Sequence, residues 1–194
     1  MADAARPEEP VLRFAGQPDF EAWLEENHAG GGVWLAIAKA GSARPTVSYA
    51  EAIEVALCFG WIDGQKRRGD EEHWLQRFTP RSSRSRWSRI NRDKAEGLID
   101  SGRMRPAGLA EVERARADGR WDAAYEGQRK AKVPDDLQQE LDRDPRTAAA
   151  FDGLDSRNRY AIIWRLNDAK RPETRARRLR KYVEMLRRGE TLHG

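Results

Sequence analysis

The chain has 194 residues, of which 35% are charged, and a formal net charge of +4. Its mean hydropathy of −0.89 indicates a thin core under a charged surface, and no window approaches the ~20 apolar residues that a membrane-spanning helix needs. This length fits one compact domain or a domain with a helical extension.

The charge is divided unevenly along the chain. Residues 1–60 hold four basic and nine acidic residues, a net −5, so residues 61–194 carry +9. A basic C-terminal two-thirds suggests an anionic partner, such as nucleic acid, a phosphorylated metabolite or an acidic membrane face. The single cysteine excludes an intrachain disulfide, and the N-terminus has neither the basic start nor the apolar run of a signal peptide. We therefore expect a cytoplasmic protein.

The first half of the chain alternates between strand and helix patterns. Ser48 and Glu51 have the spacing of a capping box, and the run from Val33 to Lys39 is apolar on both faces, as in a central strand. Strands are predicted at 11–14, 33–39, 61–66 and 73–78, with helices from Pro18 and after Ser48. These elements predict a small antiparallel or mixed sheet of about three or four strands with helices on one face.

The stretch from Ala56 to Gly64 joins the second helix to the third strand. Gly60 can adopt the left-handed conformation that ends a helix, so the chain can turn directly into Trp61. Asp63 and Gly64 then interrupt the strand. They predict a turn or bulge, or alternatively a carboxylate placed near the end of the sheet.

The chain after Pro80 has the pattern of helices only, so the fold class is α+β with an all-helical C-terminal half. In the last helix we expect a buried stripe made of Ala176, Leu179, Val183 and Leu186. The predicted helices are 88–101, 106–119, 135–142, 145–153, 156–169 and 172–188. The predicted organisation is a disordered tail (1–10), an α+β domain (11–126), a linker or hinge (127–134), a helical region (135–188) and a tail (189–194).

Several short segments carry a family resemblance. They are Ala56–Gly64, Arg77–Arg81, Trp87–Asn91, Gly102–Met104, Asp118–Tyr125 and Ala169–Arg175. In this order they resemble the YdeI/OmpD-associated family, also called bacteriocin-protection proteins, over nearly the whole chain. The resemblance implies a bacterial protein linked to stress or bacteriocin protection, and it supplies no catalytic residues.

Arginines and serines between residues 77 and 92 suggest a ligand site. Arginine donors, serine hydroxyls and the first N–H groups of a helix beginning at Ser88 are what an anion or phosphate site requires; the alternative is a solvated loop. Trp61, Trp74, Trp87 and Trp121 either line an aromatic cleft or belong to the core. The residues predicted to bind a ligand are Trp61, Asp63, Arg77, Thr79, Arg81, Trp87, Ser88 and Asn91. Arg81 is expected in a loop, so that its removal leaves the fold intact.

Two arginine-rich patches offer an alternative function. The first contains Arg84, Arg86, Arg89 and Arg92, and the second contains Arg175, Arg178, Arg180 and Lys181. Basic patches bind nucleic-acid phosphates without sequence preference, and the chain has no motif that reads bases. Alternatively, both patches are ordinary solvated surface.

The sequence gives less support to a catalytic cysteine, a metal site or a cofactor than to anion binding. Cys58 and His73 suggest a nucleophilic pair, but Cys58 lies in an apolar helix, where cysteine usually serves in packing. The three histidines are far apart, no metal-ligand spacing is present, and no cofactor motif is found. Binding is therefore favoured over catalysis. We expect a cytoplasmic stress or bacteriocin-protection protein that binds a small anionic ligand or partner; the alternatives are non-specific nucleic-acid binding and an enzyme with a Trp/Asp/Arg-lined pocket.

Overall fold

The computed structural model describes residues 9–127 and 131–193 and divides the chain into two compact units, Met1–Tyr125 and Glu126–Gly194. The N-terminal unit contains a sheet and helices, whereas the described part of the C-terminal unit contains helices only. This confirms the α+β fold class. The predicted tail falls mostly on residues 1–8, outside the described ones, but Glu9 and Pro10 make defined contacts. The predicted linker falls partly on 128–130, also outside them.

The N-terminal unit is built on a four-stranded mixed sheet in the order β1-β2-β4-β3. Only β1 and β2 pair in parallel. The strands are β1 (Val11–Leu12), β2 (Val33–Ala38), β3 (Trp61–Arg68) and β4 (His73–Pro80), and the helices are α1 (Gln17–Asn27), α2 (Tyr49–Cys58), α3 (Arg89–Asp100) and α4 (Pro106–Ala117). The first strand is shorter than predicted because the Phe14 carbonyl accepts the Val47 N–H and not a neighbouring strand.

The core lies between the sheet and the helices that cover one face. Val33, Leu35 and Ile37 of β2 are buried on this face, which confirms β2 as a central strand. Phe78 is opposite Val33 in the register, and its ring centroid lies 5.9 Å from that of Phe20 on α1. α1 therefore packs on the sheet through Phe20.

The Asp63–Gly64 interruption is a β-bulge. The register between β3 and β4 shifts between Asp63 and Lys66. The buried Gln76 amide donates to the Gly64 carbonyl oxygen at 2.9 Å and to the Gln65 carbonyl oxygen at 3.3 Å. A side chain thus supplies the donors that the strand ladder loses at the bulge.

The turn at Gly60 brings three elements together. Gly60 has a φ of 73°, as predicted for a residue that ends a helix, and joins α2 to β3. α4 packs directly on this turn, since a Cβ atom at Gly60 would lie 2.7 Å from Glu111 Cγ and 2.9 Å from the Ala107 carbonyl oxygen. A Cβ atom at Gly108 would lie 2.3 Å from the Cys58 carbonyl oxygen. Side chains are excluded from both positions by the closeness of the two backbones.

The C-terminal unit packs four helices around its own core. They are α5 (Asp135–Arg143), α6 (Pro145–Asp152), α7 (Ser156–Asn167) and α8 (Pro172–Arg187). In α8, Leu179, Val183 and Leu186 contact the core as predicted. The prediction for Ala176 was wrong: it is exposed, and Tyr182 and Met185 are buried instead. α8 buries its C-terminal turns more widely than a single stripe requires.

Asp144 joins the start of α6 to the end of α8. Its carboxylate accepts hydrogen bonds from the Arg146 N–H, the Thr147 hydroxyl at 2.7 Å and Arg187 Nε at 3.1 Å. The bond from Thr147, followed by that from Arg187, lowers the pKa of Asp144 to about 2. The ionised form therefore stabilises the folded state.

We expect Asp144→Asn to lower the stability of the C-terminal unit at neutral pH. Because the folded pKa lies below the ordinary value of 3.8, the contribution of the charge is complete above that value and is lost as the pH falls towards about 2. The wild type and Asp144→Asn should therefore become equally stable as the pH falls over that range. Chemical unfolding followed by circular dichroism at several pH values measures this, with the exposed Asp142→Asn as control. If the stability difference between the wild type and Asp144→Asn did not change with pH, the Asp144 charge would not be its cause.

Gly60→Ala should destabilise the N-terminal unit by about 2–4 kcal/mol, because alanine is strained at this φ and its Cβ would meet α4. The matched control is Gly119→Ala. Gly119 has a φ of 76°, but no atom lies within 4 Å of the position that an added Cβ would occupy, so only the conformational cost of about 1 kcal/mol is expected. Urea unfolding followed by tryptophan fluorescence measures both. If Gly60→Ala and Gly119→Ala lost equal stability, the contact between position 60 and α4 would contribute nothing to the difference.

Candidate functional site

Arg81 is a buried cation at the end of the sheet. It lies outside the strands, as predicted, but only 5% of it is exposed. Its backbone N–H donates to the Gly60 carbonyl oxygen at 3.0 Å, which ties it to the turn between α2 and β3. The expectation that its removal leaves the fold intact therefore does not apply, because an alanine here would leave a cavity.

The guanidinium of Arg81 is only partly satisfied by the protein. Its central carbon lies 3.6 Å from the centroid of the Trp87 ring, and Nη1 donates to the Arg86 carbonyl oxygen at 3.2 Å. Nε and Nη2 are buried, and neither has a hydrogen-bond partner among the described residues. Burial lowers the pKa of Arg81 to about 10, against the opposite effect of the Glu111 and Asp63 carboxylates. The side chain is still charged at neutral pH.

Two other arginines show what the Nε and Nη2 side of a guanidinium binds. Arg77 uses these two nitrogens to hold both carboxylate oxygens of Glu9. Arg175 uses the same pair to hold Asp136, at 2.7 and 2.8 Å. Two parallel, charge-assisted hydrogen bonds of this kind are strong and specific for carboxylate or phosphate. In Arg81 the same two nitrogens, Nε and Nη2, bind no carboxylate among the described residues.

Further unpaired polar atoms surround Arg81. Trp87 Nε1 is buried and lacks a partner among the described residues. Glu111 is 9% exposed; its Oε1 accepts from Arg114 Nη1 at 2.6 Å, whereas Oε2 is buried and unpaired within the described chain. A buried unpaired polar group costs about 1–3 kcal/mol, so such groups are rare. Their concentration around one arginine points to a ligand site.

Asp63, Tyr49 and Tyr125 border this cluster. The Tyr49 hydroxyl donates to the Asp63 carboxylate at 2.7 Å, and burial together with this bond raises the pKa of Tyr49. The pKa of Tyr125 is raised by burial and by the charge of Asp63, and is lowered by the charge of Arg81. Tyr125 also lies beside Trp87, because its backbone N–H donates to the Trp87 carbonyl oxygen at 3.0 Å.

The other predicted ligand residues on β3 and β4 have different surroundings. Trp61 is fully buried, and its indole N–H donates to the His28 carbonyl oxygen at 2.8 Å, so it belongs to the core. Arg77 is paired with Glu9. Since side chains alternate along a strand, Arg77 and Thr79 lie on the sheet face opposite to Phe78, whose register partner is Asp63. The structure does not bring them together with Asp63.

The start of α3 is satisfied by the protein itself. The Ser88 hydroxyl accepts the Asn91 N–H at 3.2 Å, as predicted for an N-cap, and the Arg89 N–H donates to the Tyr125 carbonyl oxygen at 2.9 Å. These donors and the Ser88 hydroxyl therefore have partners within the chain. The candidate site rests on Arg81 and Trp87, not on the helix start.

The arginine-rich patches lie in separate units. In the first, Arg84, Arg86 and Arg89 are exposed, and Arg92 lies 3.7 Å from the Asp93 carboxylate. In the second, Arg175 holds Asp136, and Arg178 donates to the Arg165 carbonyl oxygen at 2.5 Å. Arg180 and Lys181 are exposed. Two members of the second patch thus join α8 to neighbouring helices, which reduces the charge available to a phosphate backbone.

Three residues of the candidate site were not predicted, namely Tyr49, Glu111 and Tyr125. The sequence contains a signal for Glu111, because it lies among the apolar positions of α4 that include Val112 and Ala115, where an acid is unusual. Tyr49 and Tyr125 carry no such signal. They come from segments distant in the chain, and only folding brings Tyr49 into a hydrogen bond with Asp63 and Tyr125 into one with Trp87.

Two grooves are lined by residues that do not belong to this cluster. One of about 260 Å³ is lined by Trp23, Asn27 and Gly30–Gly32, among others, and one of about 340 Å³ lies along α8 beside Leu179, Arg180 and Val183. Within residues 9–127 and 131–193, no group of three or more His, Cys, Asp or Glu side chains is placed to hold a metal ion. None of the helices described has the length and apolar character required to cross a membrane.

Family models match two parts of the chain. The model described as Domain of unknown function (DUF8412) matches residues 12–111, more than half of the chain. The chain belongs to this family. The model described as Bacteriocin-protection, YdeI or OmpD-Associated matches residues 130–189, which confirms the predicted resemblance. No curated protein and no solved structure is significantly similar to the chain.

The DUF8412 match falls within the N-terminal unit, and the YdeI/OmpD-associated match falls within the C-terminal unit. The sequence predicted one resemblance over nearly the whole chain. Of the segments that carried it, Ala169–Arg175 lies within the YdeI/OmpD-associated match, whereas Ala56–Gly64 and Arg77–Arg81 lie within the DUF8412 match. Arg81, Trp87 and Glu111 therefore lie within the DUF8412 match, whereas Tyr125 lies beyond it.

Cys58 should prove unreactive in the folded protein. It is 3% exposed in α2, and burial raises its pKa to about 11, so roughly one molecule in 10⁴ carries the thiolate at pH 7. His73 Nδ1 donates to the Asp70 carboxylate at 2.8 Å. We expect negligible iodoacetamide labelling at neutral pH and complete labelling in denaturant, and about 1 kcal/mol of lost stability in Cys58→Ala. Rapid labelling of the folded protein would contradict a packing role.

Proposed function

We propose that the N-terminal unit binds a small anionic ligand through Arg81. The observation that carries this proposal is the pair of buried Arg81 donors, Nε and Nη2, which lack a partner among the described residues. A charged guanidinium withdrawn from water is stabilised by an opposite charge, and each charge-assisted hydrogen bond contributes about 1.5–3 kcal/mol. A carboxylate or phosphate group supplies both the charge and two acceptor oxygens.

The surroundings of Arg81 support binding rather than a purely structural role. Arg77 and Arg175 obtain their carboxylates from within the chain and hold segments together. Arg81 is more deeply buried than either, yet the described residues offer it no ion pair. The cost of burying it is offset only in part by stacking on Trp87 and by the bond to the Arg86 carbonyl.

The biological setting is proposed from the family. The YdeI/OmpD-associated match supports bacteriocin protection. We infer that ligand binding is the means by which the chain acts, in a bacterial stress response. We also infer a cytoplasmic location, since Cys58 is a buried free thiol and the fold uses no disulfide.

Arg81→Lys is the variant that tests the proposal. Lysine keeps the charge and most of the stem but lacks the two parallel donors of the guanidinium. We expect at least one compound in a thermal-shift screen of carboxylated and phosphorylated metabolites to stabilise the wild type. By calorimetry, Arg81→Lys should bind that compound about tenfold more weakly or worse. Circular dichroism establishes that the variant is folded.

The matched control is Arg84→Ala, which removes an exposed arginine from the same segment. Its affinity should equal that of the wild type if the ligand is held by Arg81 and not by general positive charge. The proposal is wrong if no anion stabilises the wild type. It is also wrong if Arg81→Lys and the wild type bind the ligand equally well.

A further inference from the structure

The unpaired atoms around Arg81 include an acceptor as well as donors. Glu111 Oε2 is buried without a hydrogen-bond partner among the described residues, while Oε1 of the same carboxylate is held by Arg114. A bare anion would satisfy Arg81 and Trp87 Nε1 but would leave Glu111 Oε2 unpaired. The site therefore has a requirement that an anion alone does not meet.

Gly60 contacts both the residue with the unpaired acceptor and the residue with the unpaired donors. Glu111 Cγ packs so closely on Gly60 that a Cβ atom there would lie 2.7 Å away, and the Arg81 backbone N–H donates to the Gly60 carbonyl oxygen. Glu111 and Arg81 thus contact the same residue from two elements, α4 and the end of β4. The two side chains form no ion pair within the described chain, although the Glu111 charge raises the pKa of Arg81 against the larger effect of burial.

The charges near the site disfavour a dianion. Arg81 contributes one buried positive charge and Asp63 one negative charge, whereas the charge of Glu111 is balanced by Arg114 and that of Arg120 by Asp118. A phosphate dianion at Arg81 would be attracted by this one uncompensated buried cation and repelled by Asp63 and Glu111. A single carboxylate next to a hydroxyl or ammonium group presents acceptors to Arg81 and a donor to Glu111.

From this arrangement we infer that the ligand of the Arg81 site is a small carboxylic acid that also carries a hydrogen-bond donor, as a hydroxy acid or an amino acid does. Its carboxylate binds Arg81 Nε and Nη2, with Trp87 Nε1 as a third donor. Its hydroxyl or ammonium group donates to Glu111 Oε2. This inference rests on the proposed anion binding and specifies the chemical class of the ligand.

Acetate, glycolate, glycine and inorganic phosphate are the probes that test the inference. The first three differ only in the substituent on the carbon next to the carboxylate, which is a hydrogen, a hydroxyl or an ammonium group. The readout is the indole N–H signal of Trp87 in ¹H–¹⁵N NMR spectra, assigned by its loss in Trp87→Phe. We expect glycolate or glycine to shift this signal saturably with a dissociation constant at least about tenfold below that of acetate. Which of the two binds more tightly distinguishes a hydroxy acid from an amino acid.

Glu111→Gln should abolish this preference, because an amide that accepts from Arg114 through its oxygen presents an NH₂ donor to the ligand. The control is Glu113→Gln, an exposed glutamate on the same helix. The ratio of glycolate or glycine affinity to acetate affinity is compared within each protein. A general loss of stability in Glu111→Gln therefore does not imitate the expected result.

The outcomes separate this inference from the proposed function. If acetate binds as tightly as glycolate and glycine, or if Glu111→Gln keeps the preference, the inference is wrong and anion binding at Arg81 stands. If phosphate alone binds, the inference is wrong in the same way. If none of the four probes shifts the Trp87 signal, the inference is wrong, and the metabolite screen with Arg81→Lys decides the proposed function.

Discussion

The close contact of two backbones at Gly60 is the constraint on which the N-terminal unit depends. A positive φ ends α2 and directs the chain into β3, and the missing side chain lets α4 rest on the turn. The same residue accepts the Arg81 N–H through its carbonyl oxygen and packs against Glu111. One small residue therefore sets the helix–strand junction, the position of α4 and the distance between a buried cation and a buried acid.

Arginines in this protein are accommodated in two ways. Arg77 and Arg175 are matched by Glu9 and Asp136, so each ion pair is complete and contributes to the fold. Arg81 is stacked on Trp87 and keeps two donors without a protein acceptor among the described residues. Natural proteins usually break the rule of satisfied polar groups where function requires it. This contrast within one chain is the strongest argument that Arg81 serves a ligand.

Local patterns were sufficient to predict most elements but not the site. The capping box at Ser48, the glycine at 60 and the apolar run of β2 act over a few residues, and all three predictions are confirmed. The sequence assigned the arginines between 77 and 92 either to a ligand site or to a nucleic-acid patch, but it did not show which of them is buried or paired. Burial and pairing distinguish them, and these depend on Glu9, Glu111 and other residues far away in the chain.

The sequence by itself determined the α+β class, the helix end at Gly60 and the interruption of β3 after Asp63, because each is written in short-range patterns, and the order of short segments predicted the YdeI/OmpD-associated resemblance. Only the tertiary structure decided that Arg81 is buried, that Arg77 is paired and that Tyr49, Glu111 and Tyr125 surround the site. Those facts arise from the packing of α4 on Gly60 and from the meeting of distant segments, and no local pattern encodes the distance between them.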